Sequence, residues 1–321
     1  MATTPEAPDP HTVVWFQNRF VPLAEANVGI LTHALNYGTG LFEGIRGYYE
    51  PQRKELYLVR MLEHFERWKR NSRILRIAIP PSAAELAEIT AELCRRNNYR
   101  CHVYVRPLAY KAAGRVGVPP DDNDAYAITA VPLGEYLNGR KGLTAGVSSW
   151  RRVEDTAIPG RAKICGAYVN SVLAVDDARR NGFDEAIFLN ENGHAAEGAT
   201  SNLFIVRDGK LITPPPSDNI LEGITRASVM DLAYRELAIE VVERSIDRSE
   251  LYVSDEIFFT GTVVEVTPIL EVDHRVVGTG EVGPVTRKLR ALYTDATRGR
   301  LPGYAKWLWP VHVPALAEKT A

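Results

Sequence analysis

A short apolar run, Val13-Val14-Trp15-Phe16, breaks at Gln17-Asn18-Arg19 and resumes at Phe20-Val21. That pattern predicts a strand, a tight turn and a second strand. Further on, Met61, Leu62, Phe65 and Trp68 recur at the spacing of one helix face. Ser82 followed by Glu85 is a capping-box signature, and Leu86, Ile89 and Leu93 continue a helix behind it. Period two takes over from His102 to Tyr110, a predicted strand in which Tyr104, Arg106, Leu108 and Tyr110 share one face.

Residues 133–142 carry three glycines and little periodicity, which reads as a linker. Residues 1–132 are therefore expected to form one domain, after a loose tail over 1–10, and residues 143–321 a second. In the second, a helix is predicted from Tyr168 to about Asn181, stopped by Gly182. Predicted strands follow at Glu185–Leu189, Leu203–Val206 and Lys210–Ile212, with turns at Asn192-Gly193 and Asp208-Gly209. A helix comes after Thr225, with Val229, Leu232, Ala233 and Leu237 on one side, and a strand from Asp255 to Thr260 runs into Gly261-Thr262. Strands and helices mix without a strict βαβ repeat, which favours an α+β architecture.

A chain of 321 residues is long enough for two such domains, and 45% apolar with 24% charged residues is the balance of a soluble globular protein. The formal net charge of −2 provides no basic field for nucleic acid or an anionic membrane. Cys94, Cys101 and Cys165 are odd in number and lack metal-ligand spacing, so a reducing, cytoplasmic setting without a metal site is expected. The acidic, proline-rich N-terminus has no signal-peptide core, and no apolar stretch is long enough to span a bilayer.

Candidate chemistry starts with Lys163, flanked by the small or apolar Ala162, Ile164, Cys165, Gly166 and Ala167. It is either a solvated surface charge or a partly buried amine, and partial burial favours the neutral, nucleophilic form. Glu197 falls between two predicted strands, as a loop carboxylate or as the partner of a cofactor's pyridinium nitrogen. Gly223-Ile224-Thr225 opens a helix, either as an ordinary N-cap or as a phosphate cradle. Gly261-Thr262 is a turn, or a hydroxyl donor to the same phosphate. Arg67 is a solvated helix position or a fixed fork for phosphate.

Taken together these segments resemble a known family. His33-Ala34-Leu35-Asn36-Tyr37-Gly38-Thr39-Gly40-Leu41-Phe42-Glu43-Gly44-Ile45-Arg46 is similar to the opening motif of branched-chain amino-acid aminotransferases. Ala162 to Tyr168 resembles their cofactor-lysine segment, and Glu197-Gly198-Ala199-Thr200-Ser201-Asn202-Leu203-Phe204 the segment whose glutamate meets the pyridine nitrogen. Leu221 to Arg226 resembles the phosphate cup, and Thr260 to Glu265 its partner loop. The matches keep the family's order from about residue 13 to 310.

The resemblance implies fold type IV: a small α+β domain, a linker loop, and a larger α/β domain of pseudobarrel character. It implies pyridoxal 5′-phosphate carried on Lys163, which also moves the proton, with Glu197 at the ring nitrogen and Tyr168 at the ring oxygen. Arg67, Gly223, Ile224, Thr225, Gly261 and Thr262 would hold the phosphate. Tyr37, Phe42, Gly44, Tyr104, Arg106, Tyr136, Thr262 and Val263 match positions that contact substrate, while Leu133 stands where family members carry tryptophan. On strand periodicity alone, Tyr104 and Arg106 are equally a half-buried face with a structural ion pair. The implied reaction exchanges an amino group between leucine, isoleucine or valine and 2-oxoglutarate. The implied assembly is a homodimer, with Arg115 to Pro120 reaching the neighbouring subunit. Other fold type IV enzymes ((R)-amine transaminases, D-amino-acid aminotransferases, aminodeoxychorismate lyases) share Lys163, Glu197 and the phosphate cup. A cofactor-binding protein without turnover is the reading from a different class.

Overall fold

The computed structural model describes residues 9–137 and 139–312. The tail expected over residues 1–10 lies almost wholly outside them, as does Asn138 of the expected linker. The described chain divides into two compact units. One holds the residues up to Gly134 together with those from Asp295 onward; the other runs from Glu135 to Thr294. Residues after 294, expected to continue the second domain, thus return to the first unit. The reason is sheet pairing, because Leu308–Pro310 adds antiparallel to the edge strand Glu55–Val59.

The sheet of the first unit runs Leu308–Pro310, Glu55–Val59, Ile45–Glu50, Val103–Lys111, Asp124–Pro132, Val13–Phe16, Arg19–Pro22, with Gly40–Phe42 also paired to Val103–Lys111. All these pairings are antiparallel. The period-two pattern of Val103–Lys111 holds as far as Ala109, with Val103, Val105 and Ala109 in the core and Tyr104, Arg106 and Leu108 less buried between them; it ends at Tyr110, which is buried like Ala109 and Lys111 beside it. Two helices, Met61–Ser72 and Ala83–Arg96, cover the core face with Phe65, Trp68, Leu86 and Leu93 fully buried. Each such side chain stabilises the unit by about 1.5–3 kcal/mol through loss of water contact. The capping box forms in full, with Glu85 N–H donating to Ser82 Oγ at 3.2 Å and Ser82 N–H donating to Glu85 Oε2 at 2.7 Å.

A buried charge network orients the first of these helices. Arg67 donates Nε to Glu43 Oε1 at 2.8 Å and Nη2 to Glu43 Oε2 at 2.7 Å, and His64 Nδ1 lies 2.8 Å from Oε2. Burial alone would raise the Glu43 pKa, but the Arg67 charge and the bonds from His64 and Arg67 outweigh it and hold the carboxyl well below the usual range. A depressed carboxylate stabilises the fold above its ordinary pKa of 4.5, and that contribution is lost as pH falls toward the folded value. Glu43→Gln leaves a buried guanidinium facing a neutral amide. Urea unfolding at pH 7 is expected to lose about 3–5 kcal/mol. A loss below about 1 kcal/mol would mean that the network only fills space.

In the second unit six strands close on themselves. Asn202–Arg207 pairs with Glu256–Gly261, then come Glu265–Val272, Leu143–Val147, Glu185–Leu189 and His194–Gly198, which pairs back to Asn202–Arg207. Leu143–Val147 runs parallel to both neighbours, and the other junctions are antiparallel. Leu203, Ile205, Ile257, Phe259 and Ile269 share one buried cluster. This closed mixed sheet is the pseudobarrel expected from the resemblance. The closing junction rests on one register pair, Glu197 opposite Asn202. Helix Tyr168–Arg180 lays Ala174 and Ala178 on Ala186, Phe188 and Ala199. Among the described residues no helix is long and apolar enough to cross a membrane.

Candidate active site

In the second unit, Ala162 and Ile164 point into the protein at 4% and 5% exposure, which leaves Lys163 between them half-buried. One 3₁₀ turn, Cys165–Ala167, leads into helix Tyr168–Arg180. That short connection brings the Lys163 Nζ within 3.0 Å of the Tyr168 hydroxyl, to which it donates. The helix is fixed beside the Glu197 segment by Ser171 Oγ donating to Ala199 O at 2.6 Å.

Glu197 lies on a strand, His194–Gly198, where a loop was expected, and is 5% exposed. The run Ala-Ala-Glu-Gly shows no alternation because three of its residues are small and all are buried. Arg152 Nε donates to Oε1 at 2.9 Å. Oε2 accepts from Asn202 Nδ2 at 3.0 Å and from the Leu221 N–H at 3.2 Å. Burial is the largest influence on this carboxyl and raises its pKa; Arg152, the Leu221 N–H and the Lys163 charge pull it back. Lys163 therefore acts electrostatically on Glu197 within one unit. A buried carboxylate with this donor set suits a protonated ring nitrogen.

Asn202 Nδ2 also donates to Leu221 O at 2.8 Å. Two residues on, Gly223 is the N-cap of helix Ile224–Leu237 and caps it with no side chain. The backbone N–H groups of a first helical turn and the helix dipole favour an anion at such an end. The strand Glu256–Gly261 ends in the connection Thr262–Val264, closed by Glu265 at φ 54°, so Thr262 and Val263 sit half-buried at a hairpin tip. Ser201 Oγ and Thr260 Oγ1 are buried beside this seam without a hydrogen-bond partner, spare polar capacity that an added polar group would use. Tyr136 packs on the core of the same unit, its hydroxyl pushed up to about 12 by burial and by the facing Glu185.

In the first unit, Phe42, Gly44, Tyr104 and Arg106 converge. Arg106 donates Nε and Nη2 to the Tyr104 hydroxyl at 3.1 and 2.9 Å, and its guanidinium carbon lies 4.1 Å from the Phe42 ring centroid. A Cβ on Gly44 would collide with the Tyr104 hydroxyl, so a larger residue there would displace the Tyr104 ring. Tyr37, partly exposed, accepts the Gly117 N–H at 3.0 Å and thereby meets the loop Arg115 to Pro120. Arg67, expected as a phosphate fork, is buried with two guanidinium nitrogens on Glu43.

Sequence reading missed Arg152, Asn202 and Glu43. Asn202 and Glu43 stand inside the quoted motifs, but no local pattern announces that they brace other residues. Arg152 follows Trp150-Arg151 with no pattern at all.

A family model described as amino-transferase class IV matches residues 40–272. A probable branched-chain-amino-acid aminotransferase of Aquifex aeolicus (strain VF5) is 48% identical over 299 residues, covering 93% of this chain and 96% of that protein. The solved branched-chain aminotransferase of the thermophilic archaeon Thermoproteus uzoniensis, with norvaline, superposes with a TM-score of 0.89 at 42% identity, covering 94% of this chain and 99% of the other. The enzyme from Thermobaculum terrenum, in its PLP (holo) form, superposes with a TM-score of 0.91 at 38% identity, covering 95% and 100%.

Proposed function

Because this chain belongs to the class IV aminotransferases, we propose that it moves the amino group of leucine, isoleucine or valine to 2-oxoglutarate, with pyridoxal 5′-phosphate as cofactor. The observation that carries this reading is the buried Glu197, held by Arg152, Asn202 and the Leu221 N–H and sensing the charge of Lys163. The residues fit the group: an amine, a buried carboxylate, a helix start whose N-cap is a glycine, and two buried hydroxyls without a hydrogen-bond partner.

Bound pyridoxal phosphate supplies a carbonyl carbon that can take up the amino group and a ring that accepts electrons. Lys163 would carry the cofactor, and its amine, once free, would move the proton at the substrate Cα, as base and then acid. The Tyr168 hydroxyl, accepting from Nζ, limits where that amine swings. Glu197 keeps the proton on the ring nitrogen. The Gly223-Ile224-Thr225 helix start, Gly261 and Thr262 would bind the phosphate, while Arg67 keeps two guanidinium nitrogens on Glu43.

In the first unit, Tyr37, Phe42, Gly44, Tyr104 and Arg106 would receive the substrate. Aromatic walls take aliphatic side chains by apolar burial, and Arg106 pairs with the distal carboxylate of glutamate or 2-oxoglutarate. In Arg106→Met that carboxylate is desolvated without a partner, whereas leucine loses only a neighbour. The half-reaction with L-glutamate is expected to fall by about 2 kcal/mol, roughly thirtyfold, the lower end for a lost charge pair because Arg106 is exposed in the free chain. Stopped-flow rates with L-leucine should stay within a few-fold. Equal losses for both would make Arg106 structural.

We also propose a homodimer. Ile30, Leu35, Val116 and Val118 are 60–79% exposed and lie together, since Thr32 bridges Gly114 and the His33 N–H donates to Ala113 O at 2.8 Å. Such a patch is a candidate association surface. Sedimentation velocity is expected to show two chains per particle; a single-chain species would remove the proposal. The function itself is tested by adding amino donors to the cofactor-loaded protein and following its visible absorbance. L-Leucine and L-glutamate should discharge the lysine-linked band, D-alanine and (R)-1-phenylethylamine much more slowly. A band unmoved by every donor would identify a non-catalytic carrier.

A further inference from the structure

The seam that closes the barrel also joins two parts of the proposed cofactor site. Glu197 and Asn202 are the single register pair between their strands, beside the Gly198 N–H that donates to Ser201 O at 2.7 Å. The side-chain amide of Asn202, 4% exposed, donates to Glu197 Oε2 at 3.0 Å and to Leu221 O at 2.8 Å, while the Leu221 N–H donates to the same Oε2 at 3.2 Å. Asn202, Leu221 and Glu197 thus form a closed ring of three hydrogen bonds. The far side of the amide presses on the helix cap, since a Cβ on Gly223 would run into Asn202 Oδ1.

We propose that Asn202 is a positioning residue that locks the Glu197 carboxylate to the start of the helix Ile224–Leu237, so that ring-nitrogen and phosphate recognition hold one register. The inference rests on the function proposed above. A carboxylate in the interior swings unless each oxygen is held. Arg152 holds Oε1, and Oε2 depends on the Asn202 amide and one backbone N–H. The Arg152 charge and the Leu221 N–H offset the burial that otherwise favours a protonated, ineffective Glu197, and Asn202 holds the oxygen and the backbone segment that this N–H serves. Gly223 follows from the same contact, because the amide leaves no room for a side chain.

Two measurements test this on the cofactor-loaded full chain. Asn202→Asp is nearly isosteric but replaces the donor with an acceptor and a like charge. The acid limb of the L-leucine half-reaction should move up by about one pH unit or more, and the absorbance–pH titration of the bound cofactor should move the same way. Asn202→Ala should move both by less. The second measurement is a double-mutant cycle on pyridoxal phosphate affinity. Gly223→Ala should weaken binding about tenfold in the wild-type background, but less than about twofold in Asn202→Ala, where the colliding amide is gone. A purely structural Asn202 would lower stability and leave the pH limb unmoved. Unmoved limbs in folded Asp and Ala variants, or equal costs of Gly223→Ala in both backgrounds, overturn the inference while wild-type turnover keeps the proposed function intact. A wild-type chain that takes up no pyridoxal phosphate overturns both.

Discussion

Replacing Lys163 with alanine is expected to abolish amino transfer while leaving pyridoxal phosphate bound, more weakly, through its phosphate. In the proposed mechanism Lys163 has two duties, the covalent hold on the cofactor and the proton transfer at the substrate Cα. A positioned acid–base group alone contributes up to about 10⁴-fold, so the loss should be at least of that order. Of the described neighbours, Tyr168 accepts from Nζ and lacks an amine, Arg152 is committed to Glu197, and Glu197 is the proposed partner of the ring nitrogen. The proposed phosphate anchors lie on other elements, the helix start at Ile224 and the tip at Thr262, so cofactor retention should survive. Single-turnover spectra with L-leucine, beside equilibrium dialysis of pyridoxal phosphate, separate the two effects. A variant within a hundredfold of wild type would remove Lys163 from the chemistry.

Glu197→Gln should slow proton transfer by on the order of a hundredfold or more and weaken cofactor binding far less. Its size matches glutamate, so the strand His194–Gly198 has no reason to move. An amide cannot balance a pyridinium charge, and the ring becomes a poorer electron sink. The amide also cannot satisfy its surroundings. Three N–H donors converge on the two carboxylate oxygens, from Arg152, Asn202 and Leu221. Glutamine offers one oxygen, so its NH₂ must face a donor on one side or the other. Stopped-flow rates of the L-leucine half-reaction provide the check. Near-wild-type rates with intact folding would reduce Glu197 to a structural carboxylate.

The legible parts of this chain are the local ones. The hairpin at Val13–Val21, the capped helix after Ser82 and the helix from Tyr168 to the Gly182 stop follow from contacts a few residues apart, and each appears in the structure. The strand His194–Gly198 was hidden because it is short, small-residued and buried, so no alternation marks it. The return of Leu308–Pro310 to Glu55–Val59 spans some 250 positions, beyond any periodic signal. The site divides in the same way. Lys163 and Glu197 stood out through the motif order, whereas the braces Arg152, Asn202 and Glu43 are defined only by what the fold brings to them.

Borohydride reduction of the cofactor-loaded protein, followed by peptide mapping, tests the central claim most directly when run with and without prior L-leucine. The expected result is a pyridoxyl group on the peptide containing Lys163 alone, largely absent after L-leucine because the amine has displaced the lysine and discharged the cofactor. Labelling of another lysine, or labelling of Lys163 that L-leucine leaves undiminished, would contradict it.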